Sequence, residues 1–216
     1  MEDAERNYMP AMGRRWLLPL YDPLLLLLGV GATHRSLIEQ AMIRSGFRVL
    51  DVGCGTGSLA VQIKRLHPEV DVVGLDPDPA ALSLAKRKAN RAGLSVEFDR
   101  GFSDHMSYPD ASFDCVFSSF MFHHLKANER SATLREICRV LKSGGSLHLL
   151  DFTPRESAPP GIIGRLFHRA PHESHHFEGR MTSLMSEAGL IDAKEVAKGK
   201  IFFGPIAYYR AQHADG

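Results

Sequence analysis

Four groups of residues in this chain have the types and spacing to do chemistry. Asp51 stands two residues before a glycine run, Gly53-Cys54-Gly55-Thr56-Gly57, and Asp76 follows 19 residues after Gly57. His123 and His124 are adjacent, and His168, His172, His175 and His176 fall within nine residues. A glycine run between a short apolar stretch and a helical one has the form of a nucleotide-cofactor loop. Glycine permits the tight turn and lets backbone N–H groups come close to a ligand. The nicotinamide fingerprint needs a third glycine at position 58, which is Ser58. Asp51 at the mouth of the loop repels a phosphate but favours a cation such as a sulfonium amino acid. A carboxylate at Asp76 can accept both hydroxyls of a ribose. The competing reading is a plain strand–helix turn, with Asp76 as the N-cap of the helix after Pro79.

These positions need a frame. Residues 49–52 read as a strand running into the loop, followed by a helix to about Leu66. A strand over 70–75, a helix over 79–92 stopped by Gly93, and a strand over 95–99 come next. Residues 113–119 read as a fourth strand around the apolar run Cys115-Val116-Phe117, as a parallel strand covered on both faces should be. An amphipathic helix over 127–141 closes at Lys142-Ser143-Gly144-Gly145 and leads to a strand over 146–151. Beyond Phe152 the pattern weakens to a Pro- and Gly-rich loop over 154–164 and a helix over 181–189. Two antiparallel edge strands follow, over 195–200 and 206–210. The alternation predicts an α/β, Rossmann-like doubly wound fold with a mostly parallel seven-stranded sheet and an antiparallel C-terminal edge. Residues 1–46 read as an N-terminal helical cap contributing to the acceptor site, residues 47–216 as the cofactor-binding domain, and residues 153–180 as a lid-like loop.

The run V-L-D-V-G-C-G-T-G at 49–57 resembles class I S-adenosylmethionine (SAM)-dependent methyltransferases. So do G-L-D-P-D at 74–78, F-D-C-V-F-S-S-F-M-F-H-H-L at 113–125, R-V-L-K-S-G-G at 139–145 and H-L-L-D-F at 148–152. The likeness is to the ubiquinone/menaquinone-biosynthesis-type branch and its small-molecule relatives, and it covers roughly residues 45–152. It implies SAM as cofactor and S-adenosylhomocysteine as product. Gly53, Gly55 and Gly57 would line the methionine part, with Asp51 near it. Asp76 would bind the ribose, and Cys54, Thr56, Pro77, Phe102, Ser103 and Ser118 would complete the cofactor-binding set. The family's Gly-Asp-Ala after the third strand is replaced by Gly101-Phe102-Ser103. Phe102 cannot accept a hydrogen bond from the adenine amine but can contact the ring face, and Asp104 could substitute for the missing acid.

The methyl acceptor should sit at the carboxyl edge of the sheet, beside the ends of the fourth and fifth strands. His123 and His124 follow the fourth strand and Asp151 ends the fifth, a base-and-orienter arrangement. Alternatively, one His caps local backbone and Asp151 is structural. The four-His group lacks regularly spaced acidic or Cys ligands, so no metal is expected, and a lid or a surface loop is the better reading. Aromatic and apolar residues near both chain ends, Tyr8, Met9, Met12, Trp16, Tyr21, Phe202, Phe203 and Tyr208, could complete an acceptor pocket or simply pack in the core.

Composition narrows the partners. Lys plus Arg (26) balance Asp plus Glu (25), which gives no footing for nucleic acid. Cys54, Cys115 and Cys138 are odd in number and lack CxxC spacing, so a reducing, cytoplasmic setting is expected. The Leu24 to Leu28 run is far below the roughly 20 residues of a spanning helix, which leaves room only for peripheral membrane contact. The expected partner is a small-molecule acceptor, methylated on O or C, and the chain is expected to be a monomer or homodimer. A SAM-binding partner or sensor without catalysis is the alternative from another class; arsenite or thiol methylation is the second enzymatic one.

Overall fold

Short runs of β-branched and aliphatic residues become strands because both sheet faces are covered, so alternation with polar residues is unnecessary. They form β1 (Arg48–Val52), β2 (Asp71–Asp76), β3 (Glu97–Arg100), β4 (Phe113–Ser119) and β5 (Leu141–Phe152). Helices α1 (Val30–Glu39), α2 (Ser58–Leu66), α3 (Pro79–Arg91), α4 (Ala127–Val140) and α5 (Arg180–Glu187) cover them, and β6 (Ile191–Ile201) and β7 (Gly204–Gln212) complete the sheet. The computed structural model describes residues 30–153, 180–202 and 204–215. The predicted helical pieces before residue 30, the Leu24 to Leu28 run and the bulk of the lid-like loop with its four histidines lie outside the described residues. So do Tyr8, Met9, Met12, Trp16, Tyr21 and Phe203.

The sheet has seven strands in the order β3-β2-β1-β4-β5-β7-β6. Strands β1 to β5 are parallel, and β7 runs antiparallel between β5 and β6. Chain order reverses between β1 and β4, which is the switch point where open α/β sheets bind ligands. Leu37, Leu59, Ile63, Leu82 and Ala85 pack on one face of the sheet. Leu134, Ile137, Met181 and Met185 pack on the other.

Three details depart from the expectation. The helix after β2 is capped by Asp78, whose carboxylate accepts the Ala80 N–H at 2.9 Å, so Asp76 is not its N-cap. Strand β5 starts at Leu141 and takes in the predicted closing loop 142–145. Gly144, at φ +70°, lets the strand bulge opposite β4 between Phe113 and Cys115. Finally, β6 and β7 are longer than the predicted stretches. β6 is exposed along most of its length and interrupted by two register shifts, so its sequence carries little apolar alternation.

Candidate functional site

The glycine loop leaves β1 at the sheet's carboxyl edge. Gly53, Gly55 and Gly57 all have positive φ (72°, 52° and 75°), where other residues are strained. Their surroundings differ. A Cβ on Gly53 would strike the Met121 side chain, and one on Gly57 would come within 2.8 Å of Ala85 and 2.9 Å of Phe98. A Cβ on Gly55 would meet no protein atom within 4 Å. Gly55 therefore borders open space in which a ligand can lie against the backbone.

Contrary to expectation, the loop's N–H groups point into the protein. Gly53 and Cys54 both donate to the Leu75 carbonyl, at 2.8 and 3.0 Å, and Gly57 donates to Cys54 O at 2.8 Å. Gly55 donates to Asp76 Oδ2 at 2.8 Å, while Asp76 Oδ1 accepts the Asp78 N–H at 2.8 Å. Asp76 thus braces the loop from the neighbouring strand. Its pKa is pushed up to about 6, chiefly by burial, with the N–H groups of Asp78 and Gly55 opposing. A loop whose N–H groups are spent internally is a poor phosphate cradle.

Behind the loop, Asp51 is 1% exposed and neither carboxylate oxygen has a hydrogen-bond partner. Burial pushes its pKa up to about 7. The Ala60 N–H opposes this without completing a hydrogen bond, and Asp76 adds to the rise. A buried carboxylate in this condition is costly, and a cationic group against it would relieve the cost. Asp51, Gly55 and Asp76 together could hold a cationic group and a vicinal diol.

On the far side of the switch point, β4 ends in Ser119 and the chain turns sharply at Phe120, whose φ is +53°. A single 3₁₀ turn, Phe122–His124, follows, anchored by the fully buried Phe122. His123 is held there by Asp151 at the end of β5. The carboxylate accepts the His123 backbone N–H (3.0 Å) and its Nδ1–H (2.7 Å), as well as the Phe152 N–H (2.7 Å). Because a carboxylate only accepts, the Nδ1 proton is placed and Nε2 carries the free lone pair. The Asp151 side chain is 1% exposed and that of His123 is 29% exposed, so the ring reaches open space while its orienter is buried. His124 stacks against His123 with centroids 3.9 Å apart. It reaches the surface, but the protein packed around the ring and then the His123 imidazole depress its pKa to about 4. His124 makes no contact with Asp151 of the kind His123 makes.

The other predicted residues are placed as follows. Ser118 donates to Val52 O at 3.0 Å inside the sheet, joining β4 to β1. Ser103 shares a 2.8 Å hydrogen bond with Thr133 of α4. Phe102 follows β3 in a half-buried loop tied to β2 through Gly101 N–H to Asp76 O. Pro77 is half-buried and accepts Arg100 Nε at 3.3 Å through its carbonyl. Buried Thr56 receives Lys88 Nζ at 3.2 Å, and Ser58 receives the same ammonium at 2.7 Å. The Cys54 thiol points towards Gly74 and Phe98, and burial drives its pKa up. Cys115 is buried and Cys138 is half-buried on α4, so the three thiols are dispersed. Tyr208 is buried and Phe202 exposed. Among the described residues, no three His, Cys, Asp or Glu side chains are grouped to hold a metal ion. No described helix is long and apolar enough to cross a membrane.

Sequence reasoning missed Met121, Lys88, His34 and Phe120. Met121 and Phe120 sit between the end of β4 and His123, so position alone could have flagged them. Lys88 and His34 reach the site only through helix packing.

This sheet order, with its inward-tied glycine loop and buried acids at the ends of β1 and β2, defines a Rossmann-like cofactor-binding protein. Residues 49–145 match a family model described as a methyltransferase domain. The demethylmenaquinone methyltransferase of Thermus thermophilus is 36% identical over 154 residues, covering 70% of this chain and 69% of the relative. That of Deinococcus radiodurans is 39% identical over 154 residues, covering 70% of this chain and 63% of the relative. A SAM-dependent methyltransferase structure from Aquifex aeolicus superposes with a TM-score of 0.69 at 22% identity, covering 92% of this chain and 98% of that one. The chain belongs to the class I SAM-dependent methyltransferases of the ubiquinone/menaquinone type. It spans less than two thirds of the Deinococcus relative and about half of several relatives named ubiquinone/menaquinone biosynthesis C-methyltransferase.

Proposed function

We propose that this protein transfers a methyl group from SAM to O or C of a small apolar or aromatic acceptor. The names of its relatives favour a carbon of a quinone-type ring. The observation that carries the reading is the meeting of two devices on paired strands: the glycine loop ends β1, and the turn bearing His123 ends β4. Met121 of that turn lies directly against Gly53.

Bound SAM supplies a methyl carbon already activated by its sulfonium charge. The chain's own residues do the rest. Asp51 faces the cationic end with a carboxylate that nothing else satisfies, and Asp76, already bracing the loop, presents its remaining lone pairs to the ribose hydroxyls. Gly55 leaves room for the ligand against the backbone. At the acceptor, His123 Nε2 takes a hydroxyl proton. Removing a phenolic proton raises electron density on the oxygen and the adjacent ring carbons, so one base serves either acceptor atom; on carbon, the displaced ring C–H proton then passes to the oxygen as the ring regains aromaticity. Asp151 holds the tautomer and stabilises the imidazolium that forms. Partial shielding of the turn by Phe120 and Phe152, 5.0 Å apart, limits water at the same edge. Residues 1–46 as a cap, and 153–180 as a lid, would complete the acceptor site.

Tritiated-methyl transfer from SAM into an extract of small metabolites and quinone precursors tests the reading. Label in an extractable aromatic product, lost in His123→Ala and Asp151→Asn, is the expected result. Tight SAM binding with no label from any acceptor would overturn it in favour of a non-catalytic SAM-binding protein.

A further inference from the structure

One buried polar contact at the site has no part in holding cofactor or proton. His34, on α1, is 5% exposed, and its Nε2 lies 3.2 Å from Ser119 Oγ, the last side chain of β4. The next residue is Phe120, whose φ of +53° is unusual for a bulky side chain. The His34 ring packs at 6.2 Å from the Phe120 ring, which in turn packs on Phe152. Phe152 meets the edge of His123 at 5.1 Å. The strained turn is therefore gripped on three sides. His34 holds its start, Met121 wedges its middle against Gly53, and Asp151 holds its end.

A non-glycine residue at positive φ persists only where its surroundings over-determine it. The Phe120 N–H bond to Leu150 O at 2.8 Å keeps the backbone in the sheet but does not choose the side-chain direction. The contact that does so from outside the sheet is the one from α1. We propose that His34 is a positioning residue: its hydrogen bond to Ser119, together with the packing of its ring on Phe120, sets the turn that aims His123 Nε2 at the acceptor. Burial, and then the charge of Lys88, keep the imidazole neutral by lowering its pKa to about 4, so the tie is a neutral hydrogen bond at physiological pH.

The proposal rests on the methyltransferase reading for its kinetic arm only; a spectroscopic arm is independent of it. The variants are His34→Phe, which keeps the ring but not the bond, His34→Gln, which keeps a donor and acceptor, and Ser119→Ala, which removes the partner. In long-range ¹H–¹⁵N spectra of the full chain labelled at histidine, the His123 signals are identified by their loss in His123→Gln. The wild type and His34→Gln should show the Nδ1–H tautomer, whereas His34→Phe and Ser119→Ala should show a tautomer mixture. With an acceptor in hand, those two variants should lose about tenfold in kcat, the scale of one buried hydrogen bond, with SAM affinity within about twofold of wild type. His34→Gln should recover most of the rate. An unchanged His123 tautomer in His34→Phe and Ser119→Ala overturns the proposal. So does a loss of kcat, SAM affinity and melting temperature in parallel in all three variants, which marks His34 as merely structural. If the wild type itself transfers no methyl, the methyltransferase reading fails while the spectra still decide the role of His34.

Discussion

Asp51 is the residue whose chemistry is most exposed to test. Its carboxyl is raised to about 7, so near neutral pH the ligand-free protein carries a proton there that a cationic ligand must displace. SAM affinity should fall by up to about tenfold per pH unit below 7 and level off above it. Calorimetry across that range in buffers of different ionisation enthalpy should show proton release on binding. Asp51→Asn should bind SAM weakly and flatten the dependence, whereas a flat profile in the wild type would mean that Asp51 does not face the cation. Gly55 offers a second, sterically clean test. A Cβ there touches nothing in the protein, so Gly55→Ala should cost only about 1 kcal/mol of backbone strain in stability. It should nevertheless weaken SAM binding by about tenfold or more, because the methyl occupies the ligand's space. Equal SAM affinity with a well-folded variant would show that the open side of Gly55 is not the ligand side.

At the scale of elements, α4 does more than cover the sheet. Arg139 donates through Nη1 to Tyr108 O at 2.8 Å and to Asp110 at 2.7 Å. It donates through Nη2 to Met106 O at 3.0 Å and through Nε to Glu136 at 2.8 Å. Glu136 in turn accepts the Met106 N–H. This fork pins the segment after Phe102 and Ser103 to the helix, on the side where the adenine is expected. Arg139→Ala should cost about 1–3 kcal/mol, since two backbone carbonyls and two carboxylates lose a charged donor together. Arg139→Lys should recover only part of it, because an ammonium cannot reproduce the planar fork. Denaturant unfolding measures both, and limited proteolysis should show new cleavage between 104 and 111 in the alanine variant. The elements were largely legible beforehand, since apolar runs, Gly93 and the 127–140 periodicity mark their own boundaries. The exceptions are informative. The 142–145 stretch reads as a loop because glycine pairs usually end strands, yet it lies within β5 as a bulge where the pairing with β4 shifts between Phe113–Leu141 and Cys115–Ser146. The extension of exposed β6 beyond the predicted 195–200 follows from β7 being there to pair with it, a cause no local pattern carries.

For the whole molecule, two raised carboxyls, Asp51 at about 7 and Asp76 at about 6, give folding a definite pH signature. Between their ordinary value of 3.8 and these values, the native state holds protons that the unfolded chain has released. These two groups contribute stability that falls as pH rises through this window and flattens above 7, by on the order of 4 kcal/mol for Asp51 alone, while His34, His124 and His148, lowered to about 4, 4 and 3, contribute stability that rises with pH up to about 6.5. Melting curves between about pH 5 and pH 8 should isolate the Asp51 part as a steeper rise, or a smaller fall, with pH in Asp51→Asn than in the wild type, and saturating S-adenosylhomocysteine, whose ammonium remains cationic, should narrow that difference. An identical pH dependence of melting temperature in the wild type and in Asp51→Asn would contradict the buried, unpaired state of Asp51.

The chain itself carried the glycine spacing, the acids two residues before and 19 residues after the loop, and the strand–helix alternation. These belong to backbone conformation and local burial, which neighbouring residues decide, and so the Rossmann-like frame and the cofactor edge could be read directly. Which histidine meets Asp151 was undecided, because His123 and His124 are equivalent in sequence and only the 3₁₀ turn after Phe120 aims one of them at β5. The ties of the loop N–H groups to Leu75 and Asp76, the Met121 contact with Gly53 and the reach of His34 to Ser119 likewise join residues 21 to 85 positions apart. Contacts of that range arise from packing two layers of helices on one sheet, and tertiary structure alone creates them.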